Sequence, residues 1–203
     1  MKSSYGLHLK LGNILFKYAY FLYKPLYFKY KEISDKKKIE IISKYLKKDM
    51  TVLDIGANIG FYTGLFSKIV GEDGFIYAFE PDKVNFLYLK QNTTRLNNIS
   101  IYQNAVSNDK SKIKLYYSNE LNVDHQTYDS GENREFYEVE SIVPDDFISD
   151  KKIDFIKIDV QGFDYYALKG CEKLIRDSKN IVIFGEFWPY GLKKSGLENP
   201  FEY

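Results

Sequence analysis

The sequence predicts an α/β fold: a doubly wound, Rossmann-like parallel sheet with helices on both faces, an added antiparallel hairpin and an aromatic N-terminal helical arm. Three observations lead there. From residue 51 onward, short runs of branched and aromatic residues alternate with segments of helical spacing. The first run, "TVLDIG" (51–56), passes straight into a second glycine, "ANIG" (57–60), and then into a helical pattern. The run "KIDFIKIDV" (152–160) is nearly continuously apolar, as a strand covered on both faces should be. At 203 residues, with 44% hydrophobic and 28% charged residues, the chain suits one soluble globular domain with a sizeable core.

The elements follow in order. Residues 1–32 form an aromatic, basic arm, and residues 33–203 the main domain. In "FKYAYFLYKPLYFKY" (16–30), lysines recur too often for a secretory signal or a spanning helix. Lys10, Lys17, Lys24 and Lys31 repeat every seven residues, a polar stripe on an otherwise apolar helix. Pro25 is expected to kink or break it. The arm suits packing on the domain or on a second copy, with its lysines reaching water, or else peripheral contact with a membrane. "SDKKKIEIISKYLKK" (34–48) has helical spacing, with Ser34 or Asp35 as N-cap. A strand at 51–56, a helix ending at Gly71 and a strand at 74–81 make a right-handed βαβ unit. Asp82 caps a helix through Asn97, and "ISIYQNAVS" (99–107) is a third strand. Residues 111–119 and 136–144 alternate as edge or hairpin strands. The polar loop between them is long enough to be functional or mobile. After the fourth strand, a helix over 165–177 is interrupted at Gly170, and "IVIFGEFW" (181–188) is the fifth strand. Asn199, Pro200 and Glu202 form a helix-start signature that the chain ends too soon to use, so a C-terminal truncation is expected.

Composition narrows the function classes. A net charge of +1 draws the chain to no acidic partner, and the lysines form no patch beside the glycine turn, so nucleic acid is not expected. The single cysteine, Cys171, fits a reducing compartment, the cytoplasm, and reads as a small buried residue. With two histidines and one cysteine a structural zinc site is not expected.

In a doubly wound sheet, ligands sit beyond the carboxyl ends of the strands. A nicotinamide dinucleotide prefers G-x-G-x-x-G there, with its pyrophosphate on a helix N-terminus. Here Asn58 replaces the middle glycine, and Asp54 would repel phosphate. An ammonium or sulfonium ligand would welcome Asp54, and Glu80, closing the second strand, suits both hydroxyls of a ribose. Ribose plus a cationic amino-acid tail describes S-adenosylmethionine.

"VLDIGANIGFYT", "FIYAFEPD", "NAVSN" and "IDFIKIDVQGFDYYALKG" together resemble the FkbM-type S-adenosylmethionine-dependent methyltransferases, from roughly Met50 to Pro189. The resemblance implies the class I methyltransferase fold and O-methylation of a hydroxyl, on a sugar, glycan or related metabolite. It also implies that Asp54, Gly56, Asn58 and Gly60 shape the methionine side of the pocket, and that Glu80 holds the ribose with Asp82 or Asn85 in support. Asn104, with Ala105 and Val106, faces the adenine. Gln161 departs from the glutamate common in "DVEG". The class I fold also usually ends in an antiparallel hairpin, for which residues 190–203 are too few.

A hydroxyl needs a base as it attacks. His125, in the long loop beside Asp124, is the expected base, with Asp159 orienting substrate or sharing the role. Glu186, late in the fifth strand, is a further acid at the sheet's open end. A rival arrangement sets a divalent cation among Asp124, Asp159 and Glu186. Lys157, inside a buried strand, is expected to pair with a carboxylate. Two other readings stay open: a non-catalytic cofactor-binding module, and a nicotinamide-dependent oxidoreductase.

Overall fold

A computed structural model describes residues 7–117, 125–129, 134–148 and 152–202. At its centre lies a five-stranded parallel sheet. In chain order the strands are β1 (Thr51–Ile55), β2 (Phe75–Phe79), β3 (Ile99–Tyr102), β7 (Phe155–Ile158) and β8 (Val182–Gly185). Their spatial order is β3-β2-β1-β7-β8. β1 and β7 pair side by side and carry nearly unbroken burial, because helices cover both of their faces.

The period of two along each strand sorts side chains between two cores. Leu53 and Ile55 face the layer of α6 (Asp164–Lys169) and α7 (Glu172–Asp177), packing with Phe79, Ala167, Cys171 and Leu174. Val52 faces the other layer, packing with Ile42 of α3 (Lys36–Tyr45), Phe66 and Val70 of α4 (Phe61–Val70) and Leu89 of α5 (Lys83–Thr93). Gly170 separates α6 from α7, as the sequence suggested. Cys171 lies fully buried beside that break, where desolvation pushes its thiol well above the ordinary range.

The expected third strand is divided. β3 stops at Tyr102, and the chain resumes as β4 (Ala105–Val106) in a second, three-stranded sheet of order β4-β6-β5. There β5 (Lys112–Tyr116) and β6 (Phe136–Ile142) form the antiparallel pair, with Ile113 opposite Val139 and Leu115 opposite Tyr137. Hydrogen bonding drives the division: the Tyr102 carbonyl accepts from Glu80 N at the end of the large sheet, whereas Val106 pairs with Ile142 in the small one.

The arm consists of α1 (Leu7–Tyr18) and α2 (Tyr20–Ser34). The helix breaks at Ala19 and runs on through Pro25, contrary to expectation. Proline removes the N–H that would have met the Phe21 carbonyl, and both residues lie on the exposed side, where water can take that carbonyl. On the inner side Tyr20 stacks on Tyr88 of α5, with centroids 3.4 Å apart, and Phe28 meets Phe61 of α4 edge-on. Asp35 occupies the N-cap position of α3 without a side-chain capping bond. Its carboxylate instead takes Lys31 and the Tyr62 hydroxyl. The chain continues into α8 (Pro189–Lys194) and a 3-10 turn at Pro200–Glu202, begun by Asn199 accepting from Phe201 N.

Candidate functional site

The site starts where β1 ends. Gly56 has φ +79°, and a Cβ there would stand 2.1 Å from the Asp159 carbonyl oxygen at the end of β7. No other residue allows the first turn to press so closely on the neighbouring strand. The backbone donors of this turn are all engaged within the protein. Gly56 N and Ala57 N donate to the Phe79 carbonyl at 3.0 and 2.9 Å, and Gly60 N donates to Ala57 at 2.9 Å. Asn58 N donates to Glu80 Oε2 at 2.7 Å, and Ile59 N to the Asn58 side-chain oxygen at 2.8 Å. A phosphate cradle needs such donors free; this turn uses them on Phe79, Glu80 and its own residues.

Glu80 is the turn's partner. Oε2 takes Asn58 N and Oε1 takes Asp82 N at 3.0 Å. Burial raises its carboxyl to about 7, against the pull of those two N–H groups and of Lys157. Each oxygen retains acceptor capacity beyond its backbone bond, a pair of acceptors suited to a vicinal diol.

Asp54 does not reach the ligand space. Register pairs it with Lys157 across β1 and β7, so both side chains emerge on one face. Fully buried, Asp54 accepts from Thr63 Oγ1 at 2.6 Å and lies 3.4 Å from Lys157 Nζ. Lys157 in turn donates to the Gly56 carbonyl at 2.7 Å. The carboxylate expected to meet a cation thus holds the lysine that fixes the turn.

A cavity of about 250 Å³ opens over these strand ends. Of the residues singled out from sequence, Gly56, Asn58, Glu80, Asn85, Asn104, Ala105, Val106, His125, Lys157, Asp159 and Gln161 line it. Gly60 stands behind it at the start of α4, close against Leu89. Glu186 is exposed and lines a separate groove with Ile183, Lys169 and Glu172. Asp124 lies outside the described residues. Asp159 and Glu186 thus face different cavities, and among the described residues no three His, Cys, Asp or Glu side chains gather for a metal ion.

His125 is positioned by its neighbour. Gln126 exchanges both backbone hydrogen bonds with Tyr116, at 2.7 and 2.9 Å, fastening this part of the loop to the end of β5. The imidazole Nε2 then lies 3.9 Å from Asp82 Oδ2. Asp82 also caps α5 through Asn85 N at 2.7 Å and accepts from the Tyr137 hydroxyl at 2.6 Å. One carboxylate therefore both starts a helix and faces the histidine.

Several site residues escaped the sequence reading. Tyr27 and Lys31 of α2, with Tyr62 of α4, also line the cavity. Burial, with Tyr23, Asp35 and Asp159 nearby, pushes the Tyr27 phenol well above its ordinary value. Burial also opposes the ionisation of Asp35, but hydrogen bonds from Lys31 and Tyr62 outweigh it and hold that carboxyl low. Asp164, buried at the start of α6, accepts from Gly162 N at 3.1 Å and steadies the turn after Asp159, where Gln161 has φ +53°. Burial raises the Asp164 carboxyl to about 6. The acid-rich "DVQGFD" run was a usable signal for Asp164; for Tyr27 there was none, because nothing local ties residue 27 to residue 159.

The model of the methyltransferase FkbM domain matches residues 54–194. No curated protein matches the chain. Among solved structures, the chain is similar to the methyltransferase FkbM of Methylobacillus flagellatus KT, with 21% identity and a TM-score of 0.49 over 67% of this chain and 33% of that one. It is also similar to a SAM-dependent methyltransferase of Aquifex aeolicus, with 22% identity and a TM-score of 0.40 over 69% and 57% of the two chains. A SAM-dependent O-methyltransferase of Thermotoga maritima gives 14% identity and a TM-score of 0.46 over 78% and 47%. The chain spans about a third of the length of the first of these and less than two thirds of each of the others. With more than half of its residues inside the matched domain, from the buried Asp54 to the end of α8, the chain belongs to the FkbM methyltransferase family.

Proposed function

We propose that the chain binds S-adenosylmethionine in this cavity and directs its methyl group to a hydroxyl, on a sugar, glycan or related metabolite. The observation that carries the reading is the pairing of Glu80 with a turn whose donors are already used. That combination offers acceptors to a diol and none of the turn's donors to a phosphate. The same observation speaks against a nicotinamide dinucleotide.

The residues present fit the cofactor. Glu80 would accept from the ribose hydroxyls, and Gly56 leaves room where a Cβ would block the strand ends. Asn104, Ala105 and Val106 would face the base. When bound, S-adenosylmethionine supplies a methyl group on an electrophilic sulfonium. The chain's own part is to orient the acceptor and remove its proton. His125 takes that proton on its imidazole, and Asp82, 3.9 Å away, stabilises the imidazolium that forms. Asp159, at the cavity mouth, accepts a hydrogen bond from the acceptor and aligns it for in-line attack.

The test is transfer of a radiolabelled methyl group from S-adenosylmethionine to a panel of saccharides and other hydroxylated compounds. Label should appear on an acceptor oxygen, and His125→Ala should lower kcat by about two to four orders of magnitude while leaving cofactor affinity intact. A folded protein that binds the cofactor and labels only nitrogen or carbon acceptors would contradict O-methylation.

A further inference from the structure

We propose that the outer face of α2 docks on an anionic lipid surface. The inner face is committed to the domain through Tyr20, Tyr23 and Phe28. The outer face leaves Phe21, Leu22, Leu26, Tyr30 and Ile33 in solvent, with Phe21 77% and Ile33 68% exposed. At helical spacing Leu22, Leu26 and Ile33 fall on one stripe with Lys29, and Phe21 and Tyr30 border it. A contiguous apolar face of this kind marks an interaction surface.

Charge decides the occupant. Residues 1–48 contain twelve lysines against three acids, whereas residues 49–203 contain seventeen lysines and arginines against twenty-five acids. The net +1 of the whole chain conceals this division. Lys29, exposed within the stripe, is paired with Glu32 at 3.1 Å, so the excess positive charge comes from Lys36, Lys37 and Lys38, exposed just beyond the last turn of α2. Hydrocarbon side chains beside lysines suit the boundary of an anionic bilayer, where the apolar groups enter the acyl region and the amines meet phosphate. A second copy packed about a two-fold axis would instead set these lysines against one another. Among the described residues no helix is long and apolar enough to cross a membrane, so α2 would lie along the surface. Its opposite side carries Tyr27 and Lys31, which places the bilayer roughly 10 Å, one helix diameter, from the cavity.

Flotation of the full chain with phosphatidylcholine vesicles, with and without phosphatidylglycerol, tests this. The chain should float with phosphatidylglycerol vesicles and be released by high salt. Leu26→Asp, and separately K36E/K37E/K38E, should each weaken binding about tenfold or more. Circular dichroism and S-adenosylmethionine titration of the variants check that the fold is intact. Failure to float with either vesicle, or flotation indifferent to Leu26→Asp, would overturn the proposal. So would sedimentation showing a dimer that Leu26→Asp dissociates, since the face would then belong to a second copy.

Discussion

On the proposed reading, Glu80 makes cofactor binding depend on pH. Its buried carboxyl titrates near 7, so in weak acid one of its oxygens carries a proton and becomes a donor. Binding a ribose diol through acceptors requires that proton to leave. Cofactor affinity is therefore predicted to fall by about tenfold per pH unit below 7 and to level off above it. Glu80→Gln, which cannot ionise, should flatten the profile; an unaltered profile in that variant would place the titration elsewhere. Asp54 acts one layer below, through Lys157, which lines the cavity. Lys157→Met strands a fully buried carboxylate and should lower stability by roughly 3–5 kcal/mol, read as a drop in melting temperature. Asp54→Asn in the same protein should recover part of the loss. That Lys157 needs a carboxylate is legible from its place in an apolar run. That the carboxylate is Asp54 depends on the register of two strands a hundred residues apart, which no local pattern reveals.

At the scale of elements, the turn after β1 and the end of β7 form one unit. Gly56→Ala would drive a methyl group into the Asp159 carbonyl at a positive φ. It should abolish measurable S-adenosylmethionine binding in calorimetry, even if circular dichroism still reports a folded sheet. The βαβ unit at the centre was readable because its signals are local: two short apolar runs, the glycines of the first turn and a helical pattern ending at Gly71. The division of β3 from β4 was not, since "ISIYQNAVS" reads as one strand until hydrogen bonding commits its halves to different sheets. His125 shows the same limit. Its residue type marked it as a base, but its place at the cavity comes from the bridge between Gln126 and Tyr116.

Across the whole molecule, the strand ends, the small sheet and the arm enclose one space. The arm's composition announced an amphipathic helix but not that its inner face would wall the cavity with Tyr27 and Lys31. Tyr88→Ala removes the ring on which Tyr20 stacks and should loosen the arm, giving faster proteolysis within residues 7–34 while the central sheet resists. The central claim, that the strand ends hold S-adenosylmethionine through Glu80, is tested most directly by calorimetric titration of that cofactor into the wild-type chain and Glu80→Ala, with NADH in parallel. Saturable binding of S-adenosylmethionine, weakened about tenfold or more by Glu80→Ala, and no response to NADH are predicted. Binding of NADH in its place, or S-adenosylmethionine binding indifferent to Glu80→Ala, would contradict the account.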